Sequence, residues 1–92
     1  MANKKSAKEA RKVFVRTVSY HYTGEVLEET ATELVLVKAA WIADSGRFNE
    51  DMKTGVFSEV EPYPEELQVV LNKGSIVDYV RNWPHNLPRE VK

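Results

Sequence analysis

The sequence predicts an all-β fold: a small barrel of five strands, with a short helix before it and a long loop between the third and fourth strands. Three observations carry this reading. The run Val13-Phe14-Val15-Arg16-Thr17-Val18-Ser19-Tyr20-His21-Tyr22 is dominated by β-branched and aromatic residues. A second apolar run, Leu34-Val35-Leu36-Val37, follows a short polar turn. Two more, Leu67-Gln68-Val69-Val70-Leu71 and Ser75-Ile76-Val77-Asp78-Tyr79-Val80-Arg81, flank Asn72-Lys73-Gly74. Strands this short and curved, packed into about 70 residues, favour closure, because closure removes exposed edges.

Each element has a local cause. Residues 1–12 combine Ala, Lys, Glu and Arg with no β-branched side chain, the composition of a short helix. Ser6 and Glu9 stand three apart, as in a capping box, but the segment is polar nearly all round and predicts a frayed helix or a basic arm. From Val13 the chain reads as strand, bent near Val18–Ser19 and curved again at Gly24, where a bulge is easily accommodated, and it continues to Glu28. Glu29-Thr30-Ala31-Thr32-Glu33 is a polar turn. Leu34 to Ala40 completes an antiparallel three-stranded meander. Residues 44–66 form a long loop: Asp44 or Ser45 can cap a short helix over 47–53, Gly55 can end it, and Pro62 and Pro64 forbid regular structure around Tyr63. The last two strands are joined by a tight turn in which Gly74 can take a positive φ. Pro84 and Pro88 end regular structure in the tail, residues 82–92, which leaves 13–81 as the barrel.

Composition narrows the functional classes. The 92 residues make one small domain, and small cores are commonly reinforced by oligomerisation. With no Cys, disulfides, thiol nucleophiles and Cys-built zinc sites are excluded. No apolar run approaches a membrane span of about 18–20 residues, and the start of the sequence lacks the apolar core of a signal peptide, so a soluble, cytoplasmic protein with no membrane partner is expected. The net charge of −1 hides a strong asymmetry: residues 1–16 carry +5 and the remainder −6. A basic head can meet phosphates, whereas an acidic body argues against a broad nucleic-acid-binding face.

Two motifs resemble the Sm-like family of small β-barrels. Gly24-Glu25-Val26-Leu27, a polar loop and Leu34-Val35-Leu36-Val37-Lys38-Ala39 are similar to that family's bent second strand and apolar third strand. Val69-Val70-Leu71-Asn72-Lys73-Gly74-Ser75-Ile76-Val77-Asp78-Tyr79-Val80 is similar to its apolar strand, basic residue, glycine and returning strand. The resemblance implies an Sm-like or SH3-like barrel in a homo-oligomeric ring, joined by the last two strands of neighbouring subunits, here 67–71 and 75–81. The family reads uracil with an asparagine before the third strand; Glu33 stands there in this chain, which argues against uridine-rich RNA. The stretch 36–55 is also similar to small phage-encoded proteins.

The candidate ligand-binding residues are Lys38, Trp41, Arg47 and Lys73, with Tyr20 and Tyr22 as a stacking platform. A Trp at a strand end beside a long loop can stack a base while Lys and Arg meet phosphate. Tyr20, Tyr22 and Trp41 can equally pack within the barrel or against a neighbouring subunit. His21 and His85 lack metal-ligand spacing, and no nucleophile elbow, Walker motif, dinucleotide fingerprint or EF-hand loop is present. The expectation is a non-enzymatic protein, without cofactor, metal or catalytic residue. It would bind a nucleotide-type ligand: a small or cyclic nucleotide, sequestered as a phage sponge would hold a defence signal, or RNA. The alternative is a structural or interaction module that docks a partner through residues 44–66.

Overall fold

The computed structural model describes residues 11–92. The helix or arm expected over residues 1–12 lies outside them, apart from Arg11 and Lys12, and Lys12 already belongs to the first strand. The order is β1 (Lys12–Thr17), β2 (His21–Glu29), β3 (Glu33–Asp44), α1 (Phe48–Thr54), β4 (Glu59–Pro62), β5 (Val69–Asn72), a 3-10 turn (Lys73–Ser75) and β6 (Ile76–Arg81). All strand pairing is antiparallel, and the all-β class is as the sequence predicts.

The hydrogen-bonded path runs β4-β3-β2-β1-β6, with β5 also paired to β3. The expected closed barrel of five strands is therefore corrected to six strands in a sheet that does not close. β3 is long enough to hold two partners in series: its first part pairs with β5, from Glu33↔Asn72 to Leu36↔Val69, and its second with β4, from Ala40↔Pro62 to Asp44↔Glu59. β5 and β6 are consecutive but form no ladder with each other.

Several local expectations are also corrected. The strand through Val18–Ser19 is interrupted rather than bent. Thr17 Oγ1 donates to the Tyr20 carbonyl and accepts from the backbone N–H groups of Ser19 and Tyr20, an ST-type turn that separates β1 from β2. α1 is preceded by Arg47 in extended conformation with no side-chain cap. Asp44 Oδ1 instead accepts from the Gly46 N–H at 2.9 Å and holds the loop leading in. Residues 59–62 form a strand despite Pro62, because that proline stands at the end of a strand that only β3 pairs along its ladder. Gly74 does not take a positive φ: the Asn72 side chain accepts its N–H at 2.7 Å and winds the connection into a 3-10 turn.

Other features agree with the sequence reading. The register shifts between Thr23 and Glu25, and glycine suits position 24 because a Cβ there would lie tightly against β3, 3.0 Å from Leu36 Cβ and 3.3 Å from the Val37 carbonyl oxygen. α1 ends at Gly55, whose φ of 74° is the left-handed conformation of a helix C-cap.

The sheet separates two cores. On one face, Val13, Val15, Val26, Leu34, Leu36, Ala39 and Leu71 pack together, joined by Tyr22, Tyr63 and Tyr79. On the other, Phe14, Ala40 and Ile42 meet Phe57, Val60 and Trp83, with Met52 and Leu87 alongside. Phe14 stacks on Trp83 at 5.2 Å and on Phe57 at 5.7 Å between ring centroids. The tail is thus part of the fold. Trp83 N–H donates to the Lys12 carbonyl, Lys92 exchanges two backbone hydrogen bonds with Val60, and the Arg89 guanidinium donates to the carbonyls of Ala39 and Tyr63. Lys92 covers the outer edge of β4, while β5 and β6 each keep one edge without a strand partner among the described residues.

Candidate functional site

The sequence-derived candidates divide between two regions. At the far end of β3, Trp41 pairs across the sheet with Tyr22 on β2 and with Glu61 on β4. Tyr20, in the turn before β2, meets Trp41 edge-on at 5.2 Å. Tyr22 leans on the first core, and burial, with Tyr63 and Tyr20 nearby, pushes its hydroxyl above the usual tyrosine pKa. Tyr20, Tyr22 and Trp41 are therefore one cluster, Tyr22 through the pairing of β2 with β3 and Tyr20 from the turn beside it.

The cations expected beside Trp41 are not gathered there. Lys38 stands at a break in β3 with φ of 52°, its N–H donating to the Glu65 carbonyl and its ammonium 3.5 Å from Glu25. Arg47 is exposed before α1, and its side chain forms no hydrogen bond or ion pair among the described residues. Lys73 lies at the opposite end of β3, where its N–H donates to the Thr32 carbonyl beside Glu33. The group facing Trp41 on β4 is instead acidic, Glu61, and Glu59 pairs with Asp44 further along the same two strands.

The cations converge on Glu29, at the C-terminal end of β2. Lys73 Nζ donates to Glu29 Oε2 at 2.8 Å, and Tyr79 OH donates to the same oxygen at 2.7 Å. Arg11 lies 3.6 Å from Oε1 and Arg81 3.8 Å from Oε2. Arg81 also lies over the Tyr79 ring, 5.4 Å from its centroid, and donates to the Tyr79 hydroxyl at 3.1 Å. The hydrogen bonds from Lys73 and Tyr79 hold Glu29 below the usual carboxylate pKa, and the charges of Lys73 and Arg81 add to this. Three cations around one carboxylate leave a surplus of positive charge, with Arg11 and Arg81 more than half exposed.

An open groove of about 570 Å³ runs beside this cluster, lined by Lys73, Ile76, Val77, Asp78, Tyr79 and Arg81. It follows the free edge of β6. Asp78 is engaged elsewhere: it accepts two hydrogen bonds from Arg16, its cross-strand partner on β1, which lowers its pKa. Of the groove's residues the sequence reading named only Lys73 as a candidate. Tyr79 and Arg81 stand two apart on β6 and so share a face, a signal available in the sequence once β6 is assigned. Glu29 and Arg11 carried no such signal, because they reach the cluster only through the pairing of β2, β1 and β6.

No family model, curated protein or solved structure matches the chain.

Among the described residues, no group of three or more His, Asp or Glu is placed to hold a metal ion, and no helix is long and apolar enough to cross a membrane. His85 is structural: its Nε2 hydrogen bonds the Met52 carbonyl at 2.9 Å and its ring meets Trp83 edge-on at 4.7 Å.

Proposed function

We propose that the chain is a non-enzymatic, homo-oligomeric binding protein of the Sm-like type that holds a small phosphate-bearing nucleotide in the groove beside β6. The carrying observation is the convergence of Arg11, Lys73 and Arg81 on Glu29 next to the Tyr79 ring, at an unpaired strand edge. Guanidinium and ammonium groups recognise phosphate oxygens, and an aromatic ring flanked by Arg offers a face for a base. Glu29 keeps the three cations together in the absence of an anion, and a ligand phosphate competes with it for them.

The magnitudes are adequate. A charge-assisted hydrogen bond contributes about 1.5–3 kcal/mol and a stacked base about 1–3 kcal/mol. Three such contacts near the upper end of these ranges reach the roughly 8 kcal/mol of a micromolar complex. Nothing in the groove resembles a nucleophile with its base, so retention without turnover is the role this chemistry fits. That is the behaviour of a sequestering protein, and the likeness of 36–55 to phage-encoded proteins suggests a defence signal as the cargo. The ligand lies beside β6, so a neighbouring subunit paired to that edge would complete the pocket. The docking role of residues 44–66 is less favoured, because Met52, Phe57 and Val60 from that stretch are committed to the second core.

Calorimetry with mono-, di- and cyclic nucleotides and a uridine oligomer tests this on the wild type, Arg81→Ala and Trp41→Ala. The expected result is micromolar binding of a nucleotide, weakened at least about tenfold by Arg81→Ala and unchanged by Trp41→Ala. Absence of nucleotide binding, or an Arg81→Ala protein that matches wild type, would overturn the reading. Tight uridine-oligomer binding would move the assignment to RNA.

A further inference from the structure

The cationic cluster borders a second, smaller cavity besides the groove along β6. It measures about 40 Å³ and is walled by Arg11, Glu29, Arg81 and Asn82, with Val13 and Val26 of the first core closing it. Tyr79 and Arg81 line both spaces, so the two adjoin. They lie on one face of the sheet: Arg81 opposes Val13 and Tyr79 opposes Val15, and both valines belong to the first core. The contacts to Glu29 are unequal. Lys73 and Tyr79 donate to it at 2.8 and 2.7 Å, whereas Arg11 at 3.6 Å and Arg81 at 3.8 Å supply charge without a hydrogen bond among the described residues. The two guanidinium groups in the cavity wall therefore keep N–H groups for another acceptor. Three cations against one carboxylate leave a local charge of +2.

We propose that the small cavity receives the terminal phosphate of a linear nucleotide whose nucleoside lies in the groove, an inference that rests on the groove being a nucleotide site. Size, closure and charge each select a terminal phosphate. The cavity only slightly exceeds the roughly 30 Å³ share of one water in the liquid, so it admits the oxygens of a terminal group and excludes a nucleoside. Val13 and Val26 are buried and close it, so the ligand ends there. The local charge is matched by a phosphomonoester, which carries about −1.5 to −2 at pH 7, and half matched by the single charge of a diester. Arginine meets phosphate oxygens through paired N–H groups, and Arg11 and Arg81 have them to offer. A cyclic phosphate has neither the free terminus nor the second charge. The groove, at about 570 Å³, has the size of a small-molecule site, and Ile76, Val77 and Tyr79 give it apolar surface for the nucleoside.

Arg11 and Asn82 line only the small cavity, and Val77 and Asp78 only the groove, so their backbone amides report the two spaces separately. The isotopically labelled full chain is titrated by NMR with inorganic phosphate, with linear nucleoside monophosphates and with their cyclic counterparts. Calorimetry gives the affinities for the wild type and for Arg11→Ala. The Arg11 side chain is 57% exposed, so its removal spares the fold, and an unchanged remainder of the spectrum verifies this. Inorganic phosphate is expected to shift the amides of Arg11 and Asn82 and to leave those of Val77 and Asp78. A linear monophosphate should shift both sets. It should bind at least about tenfold more tightly than the cyclic form, and Arg11→Ala should abolish that preference without weakening the cyclic form. Equal binding of the two forms, or a preference that survives in Arg11→Ala, overturns the proposal and leaves the groove a nucleotide site. Phosphate bound at Arg11 and Asn82 by a protein that binds no nucleotide overturns the nucleotide reading and keeps the cavity as a phosphate site. Binding of neither overturns both.

Discussion

Asp51 stands on α1 with only 3% of its surface exposed, and its Oδ2 atom has no hydrogen-bond partner. Burial raises its pKa above the ordinary carboxylate value, and the charges of Asp44 and Glu50 add to the effect; His21 and Lys92 oppose it. The folded state therefore holds this proton more tightly than the unfolded state. Its contribution is fully present below the unfolded pKa and is lost as pH rises through the raised folded one. Asp51→Asn should make the protein more stable at pH 7, by about 1 kcal/mol, with the advantage shrinking towards pH 3. Denaturant titrations at both pH values measure this, and an unchanged or lowered midpoint at pH 7 would contradict it. Glu29 has the opposite sign. Its lowered pKa stabilises the fold above the unfolded value, and that stabilisation is lost as pH falls through the folded one. Glu29→Gln should destabilise the protein at pH 7 but not at pH 3, while releasing Lys73 and Arg81 for a ligand phosphate. Loss of stability together with tighter nucleotide binding is the expected pair of results. A variant that loses both would show that Glu29 positions the cations and does not compete for them.

Elements with a strong local signal were legible in the sequence: the β-branched runs of β1, β3 and β6, the short helix ending at Gly55, and the bulge at Gly24. The failures have physical causes. Positions 14, 20 and 22 have the same parity and would share a face in one unbroken strand, but the turn after Thr17 resets it. Val15 then faces Tyr22 across the sheet, while Phe14 points into the second core. Val13, Phe14 and Val15 are all buried because the sheet is covered on both faces, a pattern that period-two alternation does not describe. β4 was hidden by its glutamates and Pro62, residues that suit a short edge strand rather than a central one. α1 and the tail cooperate at one point. A Cβ at Gly55 would lie 2.3 Å from His85 Cβ, and the φ of 74° already favours glycine. Gly55→Ala should therefore cost about 1–3 kcal/mol, more than the few tenths expected of an exposed helix end. A thermal midpoint within a degree of wild type would show that the tail yields at little cost. His85→Gly in the same background should recover part of the loss, since it removes the Cβ as well as the ring atoms that the new methyl group meets.

At the scale of the whole molecule, the distribution of charge and of open edges matters most. The cationic cluster joins residues 11, 29, 73 and 81, which only the pairing of β1 with β2 and β6 brings together; no spacing along the chain announces it. Tyr22 and Trp41 were legible as candidates because they stand on neighbouring strands, but Glu61 opposite Trp41 was not, since residues 44–66 had been assigned to a loop. Edge protection is equally uneven. The tail covers β4 through Lys92, whereas β5 and β6 present free edges carrying the exposed side chains Val70, Val77 and Val80. Unpaired edges with apolar side chains are templates for pairing with another chain, and a second copy can satisfy both at once if the β5 edge of one subunit pairs with the β6 edge of the next. Such a contact is heterologous and closes into a ring when the rotation per subunit allows it. Val77 is the position that tests this, because its 58% exposure places it outside both cores, unlike Leu71, which belongs to the first. Light scattering of the wild type at tens of micromolar should report a mass several times the 10.5 kDa of the chain, and Val77→Lys should reduce it towards a single chain. Circular dichroism of the variant should retain the β spectrum. A wild-type mass of one chain would remove the assembly, and an oligomer unaffected by Val77→Lys would move its interface away from the β6 edge. In that second case a nucleotide in the groove would be bound by one subunit alone, and its affinity would no longer depend on protein concentration.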